Sequence, residues 1–472
     1  MNKSKPGHQE WLGLLARVHQ GRVEVANLTG RRAVEEQSIG VLDFLGGRLD
    51  DPGLNRDIAK LQTRFHLDTG NLSAALEHSR RLTELARVAG GGEEIAKALS
   101  WQAMIHRERS EHERAIEIYA EAEPLMENRI YLAELWQEKG LTHNYLGQYV
   151  LAEQLITRAL DFFRPLGSTE KKAAAINDLG VCFYQQKQYR KSLELFEEAV
   201  GLYLKIGYKL GSATTAGNLV NIQLHLGNIG RALDLARNCL EWGTEIEDQI
   251  TIGLGHEKLG TVFQILGMPG KAMDHLQKAE ECAARTGDFV VRGLVLGLQT
   301  EVLTGLGRME EADAALGKAE ELGRETGEEI LTFRMEVKRA WMTSLLGDCP
   351  RAVERWDEII RKAEGGADRK CANEARLEKA SCLLALGGAV EARRCLEEIT
   401  AVEESSVFWL LRHRAFGAEV CRASGDPSSA GEHCRQAQRL AAEVLALNRE
   451  AWIRERLLST DPLKKLSDMG CI

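Results

Sequence analysis

His66, His106 and His143 are the first side chains in this 472-residue sequence that could act together, as general bases or as metal ligands. Each stands four residues before one of three positions, Gly70, Ser110 and Gly147, that recur along the chain. Recurrence at one register makes them a single packing position used three times, so a structural role is expected. Cys382 and Cys395, then Cys421 and Cys434, are thirteen apart within each pair. Zinc sites usually place paired ligands two to four residues apart, so these cysteines are expected to be small buried apolar residues. Gly90-Gly91-Gly92-Glu93 lacks the Lys-Ser or Lys-Thr that a phosphate cradle needs. No GxSxG, HExxH or kinase signature occurs. The expectation is a protein without catalytic residues, metal or cofactor.

What remains is recognition chemistry: amides, a few cations and an aromatic, whose value depends on the elements that carry them. Those elements follow a 40-residue period. "LGNIGRALDLA" from Leu226, "LGMPGKAMDHL" from Leu266, "LGRMEEADAAL" from Leu306 and "LGDCPRAVERW" from Leu346 are copies of one segment. The turn positions run 70, 110, 147, 187, 227, 267, 307, 347, 387 and 425, giving ten units. Five residues after each turn stands a small residue: Ala75, Ala115, Ala152, Ser192, Ala232, Ala272, Ala312, Ala352, Ala392 and Ala430. Seven before it, Ala103, Gly140, Gly180, Gly260, Ala340, Ala380 and Ala418 form a second column. Small side chains in register permit two helices to cross closely, and apolar spacing of three and four makes each unit a pair of amphipathic helices. A second glycine, such as Gly90, Gly167, Gly207, Gly287 or Gly327, should close each second helix. Pro269 and Pro427 suit a first helical turn, while Pro124 should bend a helix locally.

Spacing and columns together resemble the tetratricopeptide repeat in a 40-residue version. Asn218-Leu219-Val220-Asn221 followed by "LGNIGRAL" is similar to the corresponding segment of the LGN/Pins spindle-orientation adaptors, with Val220 in place of Gly. The resemblance implies an all-α, right-handed superhelical solenoid of antiparallel helix pairs, about ten units plus terminal capping helices. Its expected division is a degenerate N-terminal repeat or cap over 1–53, the superhelix over 54–445, and a C-terminal capping helix and tail over 446–472. In that family the first helix of each pair lines a concave groove, which here would carry Lys60, Arg64, Lys97, Trp101, Asn144, Asn177, Asp178, Asn218, Asn221 and Gln264. Asparagine is a poor helix former, so Asn177, Asn218 and Asn221 on one face suggest amides that bond an extended peptide, or otherwise the preceding helix. Lys60 and Arg64 stand where a chaperone-tail clamp has its first Lys and Asn. Trp101 replaces the clamp's second Asn, so binding of that tail is not expected.

Composition narrows the function classes. Hydrophobic residues make up 44% and charged residues 28%, an ordinary globular balance. A net charge of −9 lacks the basic face that nucleic acid or an anionic membrane would require. Ten cysteines with no CxxC pair, no apolar run of membrane-spanning length and no signal-like N-terminus point to the cytoplasm. The expected function is an interaction scaffold or adaptor holding a partner peptide or helix in its groove. The alternative is a regulatory sensor solenoid, responsive to a signal peptide or small molecule, in a bacterial signalling or transcription regulator. The oligomeric state is not written in the sequence.

Overall fold

How closely two helices approach depends on what lies between them, and the small columns leave very little. In the computed structural model, all ten residues of the first column are buried, and Ser192 Oγ donates to the Gly180 carbonyl across its helix pair at 2.7 Å. A Cβ at Gly140 would lie 2.6 Å from Ile156 Cγ1 and 3.1 Å from the Ala152 carbonyl oxygen. A Cβ at Gly180 would meet the Phe196 ring at 2.8 Å. The second column therefore faces both the first column's backbone and the large residue one helical turn beyond it.

The structure describes residues 6–28, 32–327, 329–365, 369–400 and 406–470. Among these, helices follow one another with short turns and no strand is present. Each unit pairs a first helix with a second, for example Arg129–Tyr145 with Tyr149–Phe163 and Lys209–His225 with Ile229–Glu245. Within and between units, consecutive helices from Pro6–Leu28 to Pro427–Leu447 pack on one another, and first helices of neighbouring units also touch. The result is a tetratricopeptide-type solenoid whose apolar interior runs between the layers as a series of clusters, the two largest spanning residues 196–466 and 96–199.

The turns explain the period's punctuation. At Gly147 (φ 72°) the backbone N–H donates to the Asn144 carbonyl, and the next N–H donates to that of His143. This is the left-handed helix end that glycine favours. Ser110 and Lys187, both at φ 61°, adopt the same conformation with the same pair of bonds, so register prevails over residue preference there. Pro269 and Pro427 begin their helices, with Met268 and Asp426 at the cap. Pro124 does more than bend a helix. His112–Ala122 ends before it, and a 3₁₀ turn, Glu123–Leu125, carries the proline. No helix among the described residues is long and apolar enough to cross a membrane.

Successive turns of the superhelix meet. Phe289 N–H donates to the Thr69 carbonyl at 3.3 Å, joining residues 220 apart, which is five and a half units. A second meeting point has the same offset. Asn448, fully buried, donates to the Gly227 carbonyl at 2.7 Å and accepts from Gly230 N–H at 3.0 Å. Val407 and Val444 close over Gly227, where a Cβ would collide with them at 2.7 and 3.0 Å. Beyond Asn448 the helices Ala451–Leu458 and Leu463–Asp468 fold back, burying Ile453, Leu457, Leu463 and Leu466.

Candidate binding groove

Ten, nine, six and three residues before each turn, side chains from consecutive first helices stand beside one another. They form a polar ladder. Arg107 pairs with Glu138 on the next first helix. Gln137, beside Glu138, donates to Asp178 on the one after. Asn177 donates to Asp178 Oδ1 at 3.1 Å, and Asn218 Nδ2 donates to Asn177 Oδ1 at 3.2 Å. Four first-helix side chains, Gln137, Asp178, Asn177 and Asn218, with Arg107 and Glu138 alongside, thus run along four successive units as half-buried polar groups. A second stretch runs Gln264 to Glu301 at 2.7 Å, and Glu301 to Lys338.

The N-terminal cations are largely neutralised. Lys60 is exposed, and Arg64 reaches 3.8 Å from the buried Glu35. Lys97 pairs with Glu93 and Glu94 at 3.0 and 3.1 Å and lies 4.4 Å from the Tyr131 ring centre. Trp101 is half-buried. Asn144 is 2% exposed, and neither atom of its amide has a hydrogen-bond partner. An unsatisfied buried amide of this kind costs about 1–3 kcal/mol unless water or a ligand reaches it. Asn221 is half-buried and makes no side-chain hydrogen bond. Asn177, Asp178 and Asn218 are therefore brought together, Gln264 belongs to the second stretch, and Lys60, Arg64 and Lys97 stand apart from both. Lys338 is absent from the residues the sequence columns single out, although it shares the register of Asp178, Asn218 and Lys258.

Burial sets the electrostatics. It pushes the Asp178 carboxyl up to about 6, against the hydrogen bonds from Gln137 and Asn177. Burial also pulls the Lys338 ammonium down to about 8, with Glu374 opposing it. Arg107 is pulled down by burial but held above its ordinary value by Glu138 and Glu108. The ladder and the second stretch thus each carry a group displaced toward neutrality, an acid in the first and a base in the second.

The histidines belong to the turns. His106 Nδ1 lies 2.5 Å from Glu111 Oε2, His143 Nδ1 lies 2.7 Å from Gln148 Oε1, and His66 stacks on His78. Cys395 Sγ donates to the Arg376 carbonyl within its own helix pair, and Cys382 Sγ donates to Ser344 Oγ on the preceding unit. Among the described residues, no group of three or more His, Cys, Asp or Glu side chains is gathered as a metal site.

Helix pairs, small columns and a polar face shared by consecutive first helices make a solenoid of the tetratricopeptide type, and within it residues 131–205 match the tetratricopeptide repeat family model. Among curated proteins, the regulatory protein AfsR of Streptomyces coelicolor is 30% identical over 103 residues. That match covers 21% of this chain and 10% of AfsR, so the chain spans only a small part of that relative. Among solved structures, a STAND signal-transduction ATPase with a tetratricopeptide repeat sensor from Pyrococcus horikoshii is 15% identical, covering 72% of this chain and 54% of that one (TM-score 0.44). Yeast Tom70 is 12% identical, covering 96% of each chain (TM-score 0.40). The apo form of RapI is 13% identical, covering 66% of this chain and 98% of that one (TM-score 0.41).

Proposed function

We propose that this protein is a non-catalytic, cytoplasmic interaction scaffold that holds an extended or helical segment of a partner protein against the ladder from Arg107 to Asn221. The observation that carries this reading is the ladder itself, a run of amide and carboxyl groups on consecutive first helices with the Asn221 amide unspent. Side-chain amides both donate and accept, so they can exchange their mutual bonds for bonds to a partner's backbone, each worth about 0.5–1.5 kcal/mol net. The resemblance of the Asn218–Asn221 segment to LGN/Pins-type repeats supports the same site. The double substitution Asn218→Ala, Asn221→Ala should weaken capture of partner proteins several-fold in affinity purification with mass spectrometry, with helical circular dichroism unchanged. Undiminished capture would reject the site.

A regulatory sensor is the second reading, favoured by the similarity to AfsR, a regulatory protein, and by the contacts between superhelical turns, which a bound ligand could tighten. A ligand that shrinks the scattering radius and raises the melting temperature would favour it over the scaffold.

A further inference from the structure

The first helix, Pro6–Leu28, is apolar on two sides. Ala16, Val23 and Ala26 are buried against the helix that follows, Arg32–Leu49. On the opposite side Trp11, Leu14, Val18 and Val25 are 57%, 53%, 58% and 60% exposed. With Gly21 they occupy positions 11, 14, 18, 21 and 25, which alternate steps of three and four. That is the spacing of a coiled-coil seam, in which such a stripe faces another helix. A helix with a second, exposed apolar face calls for a further helix to cover it.

The charges beside the stripe say which helix. One flank carries Arg22, exposed; the other carries Arg17 and Glu24, both exposed. Neither has an oppositely charged residue three or four positions away on its own helix, so neither is satisfied by the local pairing seen at Arg114–Glu117 or Arg308–Glu311. When the stripe is laid antiparallel on a second copy of itself with Val18 opposite Gly21, Leu14 falls opposite Val25. Arg17 of each copy then falls opposite Glu24 of the other, twice by symmetry. Gly21 leaves open space where a Cβ would stand, so the crossing can be close at its centre. Shifting the helices by one heptad in the other direction would place Arg17 against Arg17 and Glu10 against Glu24, so charge selects a single register.

We propose that the chain forms an antiparallel homodimer through the Trp11, Leu14, Val18, Gly21 and Val25 face of its first helix, with reciprocal Arg17–Glu24 pairs fixing the register. Such a single-helix interface is at the small end of specific contacts, so the dimer is reversible and concentration-dependent. Sedimentation velocity of the full chain between about 1 and 100 µM should show the mass rising from 52.4 kDa toward twice that value. Val18→Glu should hold the chain monomeric throughout that range, with helical circular dichroism unchanged. Arg17→Glu and Glu24→Arg should each weaken dimerisation about tenfold, and combining the two should restore it, because the reciprocal pairs are rebuilt with their signs exchanged. A wild-type chain that stays monomeric at about 100 µM overturns the proposal. So does a dimer indifferent to Val18→Glu, or a double charge exchange that rescues nothing.

Discussion

Asp178 is where the ladder's chemistry is most sensitive to conditions. Its carboxylate accepts from Gln137 and Asn177, yet burial outweighs both bonds and raises the group from an ordinary value near 3.8 to about 6. Below pH 4 the folded and unfolded chains both hold the proton, and the group contributes nothing to the pH dependence of stability. Between pH 4 and 6 the unfolded chain releases its proton while the folded chain keeps it, so stability falls as pH rises through that window and levels off above it. Asp178→Asn should flatten this part of the profile and raise the melting temperature at pH 7 relative to wild type. Thermal melts of both proteins from pH 4 to 7 check it, and parallel curves would show that the carboxyl is hydrated like an ordinary one. That Asn177, Asp178 and Asn218 share a face is legible from their spacing before each turn. That Asn218 spends its amide on Asn177 is not, because this depends on the distance between neighbouring units and on side-chain rotamers, which no periodicity encodes.

Between elements, the governing quantity is the distance that the two small columns allow. Where the second column holds Gly rather than Ala, the facing residue fills the space: Ile156 against Gly140, Phe196 against Gly180, Leu276 against Gly260. Gly140→Ala gains about 1 kcal/mol of helix propensity, but its Cβ meets Ile156 Cγ1 at 2.6 Å and a backbone oxygen at 3.1 Å. Ile156 is wholly buried and has nowhere to retreat, so the overpacking cost of about 1–3 kcal/mol should prevail and lower the midpoint of denaturant unfolding. A neutral or stabilising result would mean that this helix pair is looser than described. The helix pairs, their turns and the small columns were all readable because each rests on interactions within about forty residues. The turns at Ser110 and Lys187 are instructive, since register alone placed them at a conformation that their residue types disfavour. Pro124 marks the limit of that reading: a proline signals disruption, but whether the helix bends or stops depends on how the following segment packs.

At the scale of the whole molecule, what matters is how one turn of the superhelix meets the next, and nothing in a 40-residue period announces it. The pitch results from small rotations accumulated over five and a half units, and the contacts it brings together join residues about 220 apart. Asn448 is the clearest of them. Its amide donates to the Gly227 carbonyl and accepts from Gly230 N–H, two backbone groups at a helix start that the amide covers from water. The turn glycine is required there for space as well as for its φ of 81°, since Val407 and Val444 occupy the place a side chain would take. Stability of a repeat array is mainly a sum over neighbours, so losing this long-range clasp should leave most helix pairs intact. Asn448→Ala removes both bonds and leaves two backbone groups unmatched, a local cost of about 1–3 kcal/mol. The expected outcome is a chain of unchanged helicity whose radius of gyration grows in small-angle scattering. Amide exchange should also quicken at residues 227–232 and 444–448, while the units around Gly140 and Gly180 exchange as before. If the radius and the exchange at both places stay the same, the turns are held by the stacking of the repeats themselves and Asn448 merely fills a seam that would close without it.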